Sequence, residues 1–331
     1  MSYGTTNHLP PATSFDRVIT VLELLGYSKV SRSRSSAHYY WYDDKDYRSY
    51  TGVPLSVRTE KDLFIVETST PVARSYFDLT QQSRTVRELK RLFSGSFATD
   101  EGRNRYFRPE GPPPSPPQAG CHVAFQRFGG NLIRADFYLM NRPKLGKPWS
   151  QTGVFDFIDQ MNPRVVSNNL LLPYLVASLE DYFKSTFVAL LKYSDKKPTF
   201  LRSARISGDR LAAVAEGTVG VEEAFAEGLP FQNMTAIVEH FRTLDSKLDL
   251  NGELRRPVKG RKLTLFESLE GLVALRHEFI HQARVASSFT DKLLARSIND
   301  LDTAVVRCYK RITKHYGWPF EQDWGRPPTR L

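Results

Sequence analysis

Cysteine is nearly missing from this chain of 331 residues, with only Cys121 and Cys308 present. They lie far apart and lack metal-ligand spacing, which excludes a disulfide framework and a cysteine zinc site and suits a reducing compartment. Long apolar runs are also lacking. The best one, Leu170 to Leu179, is broken by Pro173 and is too short to cross a bilayer. The stretch from Met1 to Asp16 has no basic head followed by an apolar run, so no signal peptide is expected. These absences predict a cytoplasmic protein with no membrane partner. There is no P-loop, no dinucleotide fingerprint and no internal repeat. Ser94-Gly95-Ser96 opens like a nucleotidyltransferase but has no paired aspartates downstream. Acidic residues are outnumbered: 46 lysines and arginines face 36 aspartates and glutamates, a net charge of +10. That surplus favours polyanionic partners, nucleic acid first.

What is present reads as two regions. Residues 1–155 are expected to form an α+β domain. Met1 to Ser14 reads as a flexible lead. A short helix carries Val18, Val21, Leu22, Leu24 and Leu25 and stops at Gly26. Ala37 to Tyr42 and Leu63 to Thr68 read as strands, being dense in aromatic and β-branched residues. Thr70-Pro71 looks like a helix start, with the helix running to Phe93. Residues 109–117 are a proline-rich loop. Gly129-Gly130 between Cys121–Phe128 and Asn131–Met140 predicts a hairpin.

Residues 156–331 carry helical periodicity instead. Long helices are expected over Asn168 to Tyr193, Val221 to Leu250 (interrupted near Gly228 to Pro230), Thr264 to Ala286 and Asp291 to Tyr316. The tail from Gly317 reads as irregular structure. Four such helices make an all-α, four-helix-bundle-like domain the default.

The third of these helices holds Arg276-His277-Glu278-Phe279-Ile280-His281, which admits two chemistries. From His277 it spells H-E-x-x-H, with His277 and His281 one turn apart for zinc and Glu278 as general base. A zinc peptidase needs a third ligand, and the metzincin positions are Arg284 and Ser287. No glutamate occurs between His281 and Glu321. From Arg276 the stretch spells an arginine, a polar residue, three others and a histidine. That motif, on the third long helix, and the acidic Glu180 within the apolar Ala177 to Phe183 segment of the first, resemble the HEPN superfamily of helical ribonucleases over about residues 160–316.

The chemistry can be argued from the residues. RNA supplies its own nucleophile, the 2′-hydroxyl, so an enzyme needs an acid–base group and a clamp for phosphate charge. Histidine titrates near neutral pH, and arginine holds two phosphate oxygens as negative charge grows at phosphorus. His281 is assigned the first role and Arg276 the second. His277 assists, and Glu180 orients the basic pair. Neither metal nor cofactor is required. Five residues at about 100° per step set Arg276 and His281 roughly 140° apart on the helix, so a bent helix or a second chain must close the gap. The resemblance implies a homodimer that combines two motifs. It also implies toxin or antiviral roles, with the first domain as sensor and an antitoxin or regulatory partner.

Arg255, Arg256, Lys259, Arg261 and Lys262 form a basic loop before the motif helix, suited to an RNA backbone. Arg32, Arg34, Tyr39, Tyr40, Trp41, Tyr42, Tyr47, Arg48 and Tyr50 interleave basic and aromatic side chains, as a base-stacking surface or an aromatic strand face on a core. The expectation is therefore an α+β region joined to a HEPN-like helical domain, acting as a metal-independent endoribonuclease. The alternatives are a zinc metallopeptidase and a non-catalytic RNA- or protein-binding module, the latter with the motif's charge neutralised by Glu180 or Asp181.

Overall fold

The structure, a computed structural model, describes residues 2–60, 63–100, 102–103, 105–142, 160–202, 204–322 and 326–329. Two compact units divide the chain, Met1–Ala119 and Gly120–Leu331. The boundary expected at residue 155 lies outside the described residues.

The first unit is a seven-stranded antiparallel sheet of order β2-β3-β4-β5-β1-β6-β7. Its strands are β1 (Tyr3–Leu9), β2 (Ser28–Arg32), β3 (Ser36–Trp41), β4 (Val53–Glu60), β5 (Leu63–Thr70), β6 (Ser96–Thr99) and β7 (Gly102–Arg103). Helices α1 (Phe15–Leu24) and α2 (Tyr76–Phe93) cover one face. Val18, Ile19 and Leu22 of α1 and Leu89 of α2 pack there on Leu9, Ala37, Tyr39, Leu55, Val57 and Val66. The alternation of strand side chains sends one set into this core and leaves the other facing away from the helices.

Two expectations fail in this unit. Met1 to Ser14 is not a loose lead, because Tyr3–Leu9 pairs with both β5 and β6 and buries Thr5, Asn7 and Leu9. Threonine-rich segments are good strands once neighbours exist on both sides. Helix α2 starts at Tyr76 rather than at Thr70-Pro71. Ser75 and Asp78 form a reciprocal capping box, whereas Thr70 ends β5 and donates its hydroxyl to Gln82 at 2.9 Å.

The second unit is mostly helical: α3 (Pro116–Asn141, begun in the last residues of the first unit), α4 (Pro163–Lys192), α5 (Lys197–Arg202), α6 (Gly208–Ala215), α7 (Val221–Glu227), α8 (Met234–Leu244), α9 (Leu250–Arg255), α10 (Leu265–Gln282) and α11 (Asp291–Tyr316). No described helix is long and apolar enough to cross a membrane. Helix α3 replaces the predicted hairpin. Cys121, Ala124, Phe125, Phe128, Leu132, Ala135 and Leu139 are all buried, a 3.6-residue stripe that runs straight through Gly129-Gly130. Two mid-helix glycines cost roughly 1 kcal/mol each, which a stripe of seven buried side chains outweighs. The helix also takes up Pro116 and Pro117, the end of the expected loop, because proline is tolerated in a first turn. The predicted helical stretch Val221 to Leu250 is α7 and α8, broken after Glu227 where the interruption near Gly228 to Pro230 was expected, and α11 matches its predicted bounds.

Helix α4 is the axis of the unit. Leu172, Leu175, Val176, Leu179, Tyr182, Phe183 and Phe187 along it are fully or almost fully buried. Phe128 of α3 lies against Tyr182, α10 and α11 both pack on α4, and Phe125 of α3 stacks on Tyr309 of α11 at 4.0 Å.

Candidate active site at the end of helix α10

Helix α10 begins with a capping box. The Glu267 backbone N–H donates to Thr264 Oγ1 at 3.2 Å, and the Thr264 N–H donates to Glu267 Oε2 at 2.8 Å. Leu265, Phe266, Leu269 and Leu272 anchor its first half in the core. Burial thins beyond Leu272, so the motif occupies the less buried end of the helix.

That end is fixed from α4. Ala283 takes a left-handed conformation (φ 51°), closing the helix. The chain then returns along Asn168 and Asn169. Ala286 N–H donates to Asn169 Oδ1 at 3.0 Å, and Asn169 Nδ2 donates to the Ala286 carbonyl at 3.1 Å. Asn168 Nδ2 donates to the Phe289 carbonyl at 2.9 Å. Asp291, the first residue of α11, accepts from Arg142 at 2.8 Å and from Arg164 at 2.9 Å, and Arg142 also donates to Asn168. Arg142, Arg164, Asn168 and Asn169 thus hold the residues after the motif by hydrogen bonds, as the capping box holds those before it.

Within the motif, Arg276 turns toward α4, and its charge acts on Glu180. Burial pushes the Glu180 carboxyl above its ordinary value; the Arg276 charge and a hydrogen bond with Gln232 pull the other way without cancelling it. Glu180 Oε1 and Arg276 Nε are both shut off from solvent and have no hydrogen-bond partner. His277 and His281 are exposed, their ring centroids 4.5 Å apart and their planes inclined by 43°. Arg276, His277 and Glu278 line a cleft of about 470 Å³ together with Gln232, Asn233 and Met234 from the start of α8.

The structure thus sets Glu180 within electrostatic reach of Arg276, without an ion pair between them, and brings His277 to His281. It does not bring His281 to the cleft wall, which Arg276, His277, Glu278 and Gln282 line from this helix. Asp181, the other candidate for neutralising the motif, points elsewhere and pairs with Arg127 at 2.7 Å. Gln232, Asn168 and Asn169 were not foreseen. An Asn-Asn pair in the first turns of a long apolar helix is the one signal that marked the last two, since asparagine is a poor helix former kept for its hydrogen bonds.

The basic loop sits at the opposite end of α10. From Thr264 to His281 is 17 residues, about 25 Å at 1.5 Å per residue. Three of its five cations are also engaged within the fold. Arg255 lies over the Phe266 ring at 3.8 Å and donates to Asn251, Arg256 faces Glu253 at 3.4 Å, and Arg261 pairs with the buried Asp300. Lys259 and Lys262 are exposed. The aromatic set of the first unit divides as strand alternation requires. Tyr39 is in the core, whereas Tyr40 and Tyr42 stack on the other face at 6.3 Å. Arg32 pairs with Asp16 and Arg48 with Asp43, so those cations are not poised beside the exposed rings.

A zinc centre fits these residues poorly. The two imidazoles are near enough to share an ion, but Glu278 lies 3.8 Å from Arg284, and among the described residues no group of three or more His, Cys, Asp or Glu side chains is placed to hold a metal. No protein-family model matches the chain, and neither the curated proteins nor the solved structures give a match to set beside it.

Proposed function

We propose that this chain is a metal-independent endoribonuclease of the HEPN type that cleaves RNA through its own 2′-hydroxyl. The observation that carries the reading is the pair of exposed imidazoles, His277 and His281, on one helix end beside Arg276, whose charge acts on the Glu180 carboxyl. Glu180 acts as a positioning residue that keeps the guanidinium in place while leaving donors for a phosphate. One imidazole takes the 2′-hydroxyl proton and the 5′-oxygen leaves with a proton, giving a 2′,3′-cyclic phosphate and a 5′-hydroxyl product. His281 is the acid–base group, His277 assists, and Arg276 offsets the charge that builds on the phosphoryl oxygens. Because Arg276 and His281 stand on different faces, the reading includes a homodimer in which two α10 ends complete one site. The first unit then serves as a sensor or regulator, and the biological role is a toxin or antiviral effector.

The test uses the purified protein with labelled single-stranded RNA and with casein, each with and without EDTA, beside His281→Ala and Arg276→Ala. RNA cleavage that survives EDTA and disappears in both variants is the expected result. Casein hydrolysis lost in EDTA but kept in Arg276→Ala transfers the site to a zinc peptidase. RNA binding without cleavage reduces it to a binding module.

A further inference from the structure

The face of the sheet turned away from α1 and α2 is a trough of about 800 Å³. The strand register defines it. His38, Ser56, Glu67, Thr6 and Ala98 stand in one continuous row across β3, β4, β5, β1 and β6. At about 4.8 Å per strand, that row is roughly 19 Å long. Beside it runs a second row in which Tyr40 pairs with Pro54 and Ser69 with Gly4. Asp100 closes that row by accepting from the Gly4 N–H at 2.7 Å. The floor is made of small residues (Gly4, Thr6, Ser56, Ser69, Ala98), which is why a cavity exists on a sheet face at all.

The walls have distinct chemistry. Tyr40 is a fixed aromatic panel. Its hydroxyl donates to the Thr51 carbonyl at 2.7 Å, Tyr42 stacks behind it, and its ring end lies on Gly52. Gly52 has φ +64°, and a Cβ there would meet the ring at 2.6 Å, so the glycine is required for this placement. A ring held this way loses little freedom when a second ring stacks on it. The polar groups in the trough are mainly acceptors or hydroxyls, Thr6, Ser56, Ser69, Glu67 and Asp100, with the His38 ring beside them and the Ser56 hydroxyl donating to Glu67 at 3.3 Å. Arg58 grips Glu67 in a bidentate pair at 2.9 and 3.1 Å and also lies 2.9 Å from Glu60. Among the described residues that line the trough, none is lysine or arginine. A phosphate would meet the Asp100 carboxylate, and the cation beside the trough, Arg58, is already engaged by Glu67 and Glu60, in a protein whose net charge is otherwise strongly positive.

We propose that this trough is a binding site for an unphosphorylated nucleoside. The base stacks on Tyr40 over Pro54, and its amino donors and the ribose hydroxyls are accepted by Ser69, Ser56, Glu67 and Asp100. The volume falls within the range of small-molecule sites and leaves room for a base and a ribose. The proposal does not depend on the ribonuclease reading.

Isothermal titration of the full chain with adenosine, guanosine, cytidine, uridine, their 5′-monophosphates and ribose tests it. At least one nucleoside should bind, its monophosphate about fivefold or more weaker through carboxylate repulsion, and ribose alone not detectably. Ser69→Leu, which fills the floor from a solvent-facing strand position, and Glu67→Gln should each weaken that nucleoside by about tenfold or more. Arg276→Ala should leave its affinity unchanged, which separates this site from the helical cleft. The proposal is overturned by silence of all four nucleosides up to roughly 1 mM, by a monophosphate that binds tighter than its nucleoside, or by unchanged affinity in folded Ser69→Leu. If circular dichroism shows Ser69→Leu to be unfolded, an unchanged affinity in Glu67→Gln overturns it.

Discussion

Each unit contains a buried polar constellation, and the two are built in opposite ways. Under α2, Gln82 is fully buried. Its Oε1 accepts from Thr70, and its Nε2 lies within hydrogen-bond distance of the Tyr3 carbonyl, the Thr5 hydroxyl and the Thr68 carbonyl. It ties three segments together and has its amide hydrogens engaged within the fold. At the end of α10, by contrast, Glu180 and Arg276 each keep one polar atom shielded from water and unpaired. A low-dielectric setting makes such unpaired groups costly, and Arg276 keeps its own beside a cleft. Asn7 in the first unit is the counterexample: both its side-chain atoms are buried and unpaired, and it is not among the residues lining the trough. Orphaned polarity therefore points to a site only together with an opening and neighbouring reactive groups, which Arg276 has and Asn7 lacks.

That contrast can be broken by mutation, and the largest effect is expected at the motif. Arg276→Ala should lower RNA cleavage by about 100-fold or more while leaving the thermal midpoint within a few degrees, because a clamp held for transition-state charge contributes little to folding. Equal loss of activity and stability would place Arg276 with Gln82 as a structural group. Next is Asp291→Ala, which strands the Arg142 guanidinium, 1% exposed, without its carboxylate. Urea titration should show a loss of about 3 kcal/mol, since removing one partner of a buried pair leaves an uncompensated charge. Gln82→Ala should cost about 1–3 kcal/mol by the same measurement, from acceptors and donors left unpaired under α2, with RNA cleavage intact.

The smallest effect concerns pH. Burial raises the folded-state value of the Glu180 carboxyl, so between the unfolded and folded values the native state binds the extra proton. Stability therefore falls as pH rises through that window, just above the ordinary carboxylate range, and is regained on acidification. Glu180→Gln should flatten this part of the stability curve by less than about 1 kcal/mol, because the group is only half-buried. A wild-type curve rising with pH across the window, attributable to Glu180, would mean that Arg276 outweighs burial.

Much of the helical unit was legible in the sequence. Asp291–Tyr316 carries an unbroken apolar stripe with Thr290 before it and Gly317 after it, and the helix has those bounds. Glu180 stood out as a carboxylate among apolar neighbours, and it does face the motif. Helix α3 was misread because Gly129-Gly130 is a strong local signal for a turn, whereas the periodicity that overrides it spans 19 residues, from Cys121 to Leu139. Strand β1 escaped for the converse reason: nothing in Tyr3–Leu9 is locally insistent, and its order comes from β5 and β6. The basic loop is basic as its sequence says, but Arg261 is engaged by Asp300, 39 residues further along the chain, whereas Arg255 and Arg256 find partners within a turn, at Asn251 and Glu253.

By itself the sequence determined the change from period-two to period-3.6 patterning, the charge surplus, and a single helix end carrying Arg276, His277 and His281. These depend on residues within one or two turns of each other, where backbone geometry leaves little choice. Only the tertiary structure decided which groups meet. It put Glu180 within reach of the Arg276 charge and left Asp181 to Arg127, and it aligned His38, Ser56, Glu67, Thr6 and Ala98 from five strands into one trough. Such meetings follow from strand register and helix packing, which are fixed by the burial of side chains distant in the chain and so cannot be read from any one segment.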